Sequence, residues 1–118
     1  VLGRITATTD YAALAGADLI VEAVFEDVAV KAGVTKKVLA AVGADTIFAT
    51  NTSTLPITQL AHASDKPANF IGIHFFSPVD KMNLVEIIRG KETGDRGMVG
   101  LGSSFIALSL SCVLYARG

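Results

Sequence analysis

Two ionisable residues stand in apolar runs that have no structural need of them. His74 ends the run N-F-I-G-I-H, and Glu86 lies within L-V-E-I-I. Phe70, Ile71 and Ile73 build the first run; Leu84, Val85, Ile87 and Ile88 build the second. The loop between them contains Pro78 and can fold the two strands together, which would bring imidazole and carboxylate within reach. A carboxylate beside an imidazole holds its tautomer and raises its basicity, which is the arrangement used in general acid–base chemistry. The competing reading is a satisfied core histidine and a strand-end carboxylate, since ion pairs of purely structural origin also occur.

The elements that must position this pair read as alternating strands and helices. Arg4 to Thr9 is alternating and β-branched, which predicts a short strand. Asp10 is a candidate cap for a helix over Tyr11 to Ala15, stopped by Gly16. Asp18 to Val24 is a near-continuous apolar run, typical of a parallel strand buried on both faces. Glu26 and Asp27 open a four-turn helix whose apolar stripe is Val30, Val34, Val38 and Val42, with Lys31, Thr35, Lys36 and Lys37 off the stripe. Thr46 to Thr50 is the next buried strand, Asn51 to Thr54 a polar turn, and Pro56 falls in the first turn of a short helix running to Ala63. The expected fold is therefore α/β, with a mostly parallel sheet covered by helices. Ligands bind such sheets at the carboxyl ends of the strands. The small or polar residues Ala23 to Glu26, Asn51 to Ser53 and His74 to Ser77 fall at three consecutive strand ends, which implies one site.

Composition narrows the function class. With 118 residues, 51% of them hydrophobic, there is room for one packed domain. A net charge of −1 gives no sign of a nucleic-acid partner or an anionic membrane surface. Cys112 is the single cysteine, which leaves no internal disulfide, and His62 and His74 are the only histidines, so no metal-ligand spacing exists. The start V-L-G-R-I-T has no signal-peptide pattern and no initiator Met, which predicts a fragment or a processed chain. No internal repeat, low-complexity tract or linker precedes residue 90.

The segment G-I-H-F-F-S-P-V-D-K-M-N-L-V-E-I-I resembles the catalytic segment of the 3-hydroxyacyl-CoA dehydrogenases, in the form found in bacterial multifunctional fatty-acid oxidation proteins. V-E-A-V-F-E-D-V-A-V-K resembles the family's second cofactor loop, and N-T-S-T-L-P-I its strand-to-helix turn. The match runs in register over about residues 4 to 95. It implies a Rossmann-like, doubly wound sheet and NAD as cofactor. It implies oxidation of (S)-3-hydroxyacyl-CoA to 3-oxoacyl-CoA within fatty-acid β-oxidation, in the cytoplasm. By the same resemblance His74 is the general base, Glu86 orients it, and Ser53 hydrogen-bonds the reacting oxygen and the nicotinamide region. Ala23, Val24, Phe25, Glu26, Lys31, Asn51, Ser53 and Ser77 are implied cofactor contacts, Lys31 by reaching over the crevice. Ser77 stands where many relatives carry Asn. Thr54 can cap the following helix, which would leave Ser53 free for the site. For Glu26 and Lys31 the alternative is a solvated helix face. In the intact protein the resemblance implies a fused hydratase domain and a thiolase partner.

The sequence departs from the family in two places. It has no G-x-G-x-x-G, the fingerprint that cradles the pyrophosphate. The expectation is an incomplete domain over residues 1–96, lacking its first strand–turn–helix unit, baring the edge of Asp18 to Val24 and inactive on its own. The alternative is a non-catalytic structural or partner-binding remnant of the fold. Residues 97–118 form an apolar tail, and Gly97 to Ala116 carries no charge. Three readings of the tail stand open: a frame-shifted gene end, a divergent buried helix and strand, and a membrane or signal-like segment, for which its glycines and serines are poorly suited. Sequencing the encoding DNA across codon 96 tests the first; a second reading frame that continues the family pattern is its expected signature, and its absence removes that reading.

Overall fold

Apolar strands alternating with helices resolve, in a computed structural model, into one sheet. Residues 3, 5–76, 84–98 and 111–116 are described, the last segment by its backbone. A 3-10 turn at Tyr11–Leu14 is followed by β1 (Leu19–Glu22), α1 (Val28–Ala41), β2 (Ile47–Asn51), α2 (Ile57–Leu60), β3 (Phe70–Phe75), β4 (Leu84–Arg89) and β5 (Ser111–Ala116). The five strands lie in sequence order, β1 at one edge and β5 at the other. β1, β2 and β3 are mutually parallel, β4 is antiparallel to β3, and β5 is parallel to β4. The α/β class and the mostly parallel sheet agree with the sequence reading. Part of the apolar tail, Ser111–Ala116, is a sheet strand. Among the described residues, no helix is long and apolar enough to cross a membrane.

Apolar packing covers both faces of the central strands. On one face Phe48 and Phe70 stack with ring centroids 5.2 Å apart, joined by Ile20, Val38, Ile57 and Ile88. On the other, Ala49, Ile71, Ile73, Val85 and Ile87 are fully buried. Strands buried on both sides have no polar face, which is why β2 and β3 read as continuous apolar runs. Burying each such side chain contributes about 1.5–3 kcal/mol.

Local signals set the helices. The Asp27 carboxylate accepts the Val30 N–H at 2.9 Å and caps α1, and Asp10 caps the 3-10 turn through the Ala12 N–H at 3.0 Å. At the opposite end of the sheet, the buried Thr93 hydroxyl donates to the Phe70 carbonyl at 2.9 Å, and the Thr46 hydroxyl donates to the Ala17 carbonyl at 2.8 Å.

Two expectations are corrected. Residues 5–9 form no strand and are exposed; Arg4 lies outside the described residues. β-propensity expresses itself only where a neighbour pairs and packs, and no described strand lies beyond β1. The buried face of α1 takes in only part of the valine stripe: Val34 and Val42 pack, partly buried, beside Val38, and Lys31 and Thr35, expected off the stripe, are buried with it. Lys31, Thr35 and Val38 are its buried residues, whereas Val30 is 42% exposed. A strict four-residue repeat advances about 400° per step and drifts around a helix of 3.6 residues per turn. The spacing i, i+4, i+7 of Lys31, Thr35 and Val38 keeps one face.

Gly72 on β3 leaves room for Ile57 of α2 against the sheet. A Cβ there would lie 2.2 Å from Ile57 Cδ1, 2.6 Å from its Cγ1 and 3.1 Å from Ile88 Cβ. Ile57 is fully buried and has nowhere to swing. Gly72→Ala is expected to destabilise the chain by about 1–3 kcal/mol, read as a lower urea midpoint at unchanged slope. An unchanged midpoint would mean that α2 lifts at no cost.

Candidate active site at the strand ends

The parallel register puts three strand ends on one level. Glu22 lies opposite Thr50, and Asn51 opposite Ile73. The Thr52 N–H donates to the Ile73 carbonyl at 3.0 Å, which carries the alignment one residue past β2. The loop after β1 (Ala23, Val24, Phe25, Glu26), the turn after β2 (Thr52, Ser53, Thr54) and the end of β3 (His74) therefore share one edge.

β4 approaches that edge from the other direction. Antiparallel pairing sets His74 directly opposite Glu86, so both side chains project from the same face. His74 Nδ1 and Glu86 Oε1 are 3.8 Å apart, with side chains 30% and 19% exposed. That separation is an ion-pair approach rather than a hydrogen bond, and such contacts commonly tighten only when substrate is present. The Phe76 ring leans on the imidazole, with centroids 5.2 Å apart. An accessible imidazole held against a half-buried carboxylate can accept and return a proton.

Glu26 turns back from the helix start toward the second loop. Its carboxylate accepts the Thr52 hydroxyl, the Ser53 N–H at 3.0 Å and the Ser53 hydroxyl at 3.2 Å. Burial alone would raise the Glu26 pKa, but these three donors and the charge of Lys31 outweigh it and hold the carboxyl below its ordinary value. The expected cap on α2 differs. Pro56 occupies the N-cap with no side-chain bond, and the Thr52 hydroxyl accepts the Leu55 N–H at 3.1 Å. Ser53 is an exposed residue engaged with Glu26 rather than a helix cap.

Lys31 is the largest correction at the site. The expectation placed its ammonium over the crevice, with a solvated helix face as the alternative. Its side chain is 1% exposed, beneath the loops, and pairs with Glu22 Oε2 at 2.7 Å. It also donates to the Asn51 carbonyl at 2.9 Å and reaches the Val24 carbonyl at 3.5 Å. Glu22 in turn accepts the Val24 N–H at 2.9 Å and the Thr50 hydroxyl at 2.7 Å.

Of the residues expected from sequence, Ala23, Val24, Phe25, Glu26, Asn51, Ser53, His74 and Glu86 come to this one edge. Phe25 is 84% exposed there. Ser77 lies outside the described residues. Glu22 and Thr50 were not anticipated, and Thr52 was expected only as part of the polar strand-end turn. Glu22 had a signal: it is an ionisable residue inside D-L-I-V-E-A-V, the same anomaly that marks Glu86.

Comparison with known proteins gives this geometry a context. Residues 1–103 match the family model described as 3-hydroxyacyl-CoA dehydrogenase, NAD binding domain. The fatty acid oxidation complex subunit alpha of Shewanella frigidimarina is 50% identical over 93 residues, which cover 79% of this chain and 13% of that protein. The counterpart from Shewanella halifaxensis is 51% identical over 92 residues, 78% of this chain and again 13% of the relative. Among solved structures, (S)-3-hydroxybutyryl-CoA dehydrogenase PaaH1 from Ralstonia eutropha superposes with a TM-score of 0.95 at 35% identity, over 99% of this chain and 41% of that one. The 3-hydroxybutyryl-CoA dehydrogenase of Escherichia coli K12 gives 0.88 at 32% identity, over 92% and 23%. The chain thus spans a minor part of each relative's length.

The Glu26 contacts have a definite pH signature. A carboxyl whose folded pKa is depressed adds stability that is present above its unfolded pKa and lost as pH falls through its folded pKa. Glu26→Gln is expected to lower Tm by about 2–4 °C at pH 7. The gap to the unsubstituted chain should close as the pH drops below the ordinary carboxylate range. A gap of constant size from pH 7 to pH 3 would sink this assignment.

Proposed function

The chain belongs to the 3-hydroxyacyl-CoA dehydrogenase family through its NAD-binding domain, and from that premise we propose that it is the catalytic-segment half of such a domain. The proposed enzyme oxidises (S)-3-hydroxyacyl-CoA to 3-oxoacyl-CoA in cytoplasmic fatty-acid β-oxidation. The cross-strand pairing of His74 with Glu86 carries this reading. Because Nδ1 faces Glu86, Nε2 is the atom that takes the proton of the 3-hydroxyl. Glu86 holds the ring in that tautomer and stabilises the imidazolium that forms. Ser53, on the neighbouring turn, hydrogen-bonds the reacting oxygen.

The strand-end residues fit the nicotinamide end of NAD. An accessible imidazole, the Ser53 hydroxyl and the exposed residues Ala23 and Phe25 lie at the carboxyl ends of adjacent strands, where folds of this kind receive such ligands. When bound, NAD supplies the hydride acceptor. Ala23, Val24, Phe25, Glu26, Asn51 and Ser77 are the proposed cofactor-side residues, and Lys31 serves from beneath by holding the Val24 and Asn51 carbonyls. The sequence contains no G-x-G-x-x-G, so none of these residues fits the pyrophosphate. A doubly wound sheet in which a further strand–turn–helix unit pairs along β1 would supply that cradle, and the 118-residue chain alone is expected to form no NADH. The relatives described as fatty acid oxidation complex subunit alpha support a place for this chain in such a complex; the fused hydratase domain and the thiolase partner are part of the proposal.

A chimera tests the reading. Residues 5–98 of this chain replace the matching segment of PaaH1, and NADH formation from (S)-3-hydroxybutyryl-CoA is followed. The chimera should turn over. His74→Gln should then lower kcat by about 10²–10⁴-fold with the fold retained, and Glu86→Gln should lower it less. A folded chimera without activity, or one indifferent to His74→Gln, would overturn the proposal.

A further inference from the structure

The Glu22–Lys31 pair is almost wholly buried, with both side chains 1% exposed. Two charges removed from water gain little stability over an apolar pair of the same volume. What an apolar pair could not do is bond to the backbone, and here the bonds reach both loops of the site. Glu22 accepts the Val24 N–H of the first loop and the Thr50 hydroxyl at the end of β2. Lys31 donates to the Asn51 carbonyl, where the second loop begins, and approaches the Val24 carbonyl. Directly above, Glu26 of the first loop accepts from Thr52 and Ser53 of the second.

We propose that Glu22 is a positioning residue for this site: acting through Lys31 and the Val24 amide, it fixes the loop after β1 against the turn after β2 and thereby keeps Glu26 seated on Ser53. Buried as it is, Glu22 touches neither substrate nor cofactor. The inference rests on the proposed function only in taking those loops as the flanks of the reacting groups.

Amide hydrogen exchange on the 118-residue chain tests it. Replacing Glu22 alone would strand a buried ammonium, so the variant is Glu22→Met/Lys31→Met, in which both charges go together. β2 and β3 amides should keep their protection. The Ser53 N–H, which bonds to neither substituted residue, should exchange at least roughly tenfold faster. Unchanged Ser53 protection in a folded double variant would make the pair merely structural and overturn the proposal. Should the double variant not fold, exchange of the unsubstituted chain in mild urea gives the same decision. The Val24 and Ser53 amides and the Lys31 ammonium should be released in one opening event; Ser53 opening ahead of Lys31 would overturn the proposal. No cofactor or substrate enters either measurement, so their outcome is independent of the chimera's kinetics.

Discussion

The level finish of three parallel strands is the constraint on which the site depends. In a parallel ladder the chain returns to the same end after every helix, so whatever follows each strand collects along one edge. The pairings Glu22 with Thr50 and Asn51 with Ile73 set that level. Slipping β1 by one residue would move its whole inward set to the other face of the sheet. Glu22 would then point away from α1, and the ammonium of Lys31 would be left in an apolar interior without its carboxylate. The apolar register and the polar site are thus fixed by the same alignment, and neither can shift without the other.

The antiparallel return of β4 completes the arrangement in a different way. A fourth parallel strand would bring its own carboxyl end to this edge. A reversed strand brings its amino end instead, and with it the directly opposed pair of His74 and Glu86. Cross-strand partners share a face and sit at nearly fixed separation. The carboxylate's position relative to the imidazole is therefore a property of the sheet, not of a mobile loop. Apolar neighbours on both strands, Ile73, Val85 and Ile87, anchor that geometry.

The element order, the parallel sheet and the pairing of His74 with Glu86 were legible because long apolar runs and an ionisable residue within one are strong local signals. The burial of Lys31 was not. A lysine one turn into a helix reads as solvated, and only the tertiary position of α1 beneath the strand ends reveals its partners, nine residues back at Glu22 and twenty ahead at Asn51. The same holds for the α1 face, where Val34, Val38 and Val42 pack as the stripe suggested but Lys31 and Thr35 are buried beside them and Val30 is left out. Residues 5–9 failed for the opposite reason. Their alternation is a good local strand signal with no described neighbour to pair with.

The buried polar face of α1 has a physical origin in the strand ends themselves. Where a parallel strand stops, its last carbonyls lose their ladder partners, and burial denies them water. Val24 and Asn51 present such oxygens, and Lys31 meets both. Its charge then requires Glu22, and the second oxygen of Glu22 takes the Thr50 hydroxyl. Each polar group calls for the next until no described buried side-chain atom lacks a partner. The result is two tiers. Glu22, Lys31 and Thr50 form a buried lower one, and Glu26, Ser53, His74 and Glu86 an accessible upper one. Removing one buried partner leaves an uncompensated charge and costs about 3–5 kcal/mol, so the lower tier couples folding to the shape of the site. The upper tier lies outside the apolar core clusters, so the groups proposed for proton transfer are separate from those that hold the sheet together.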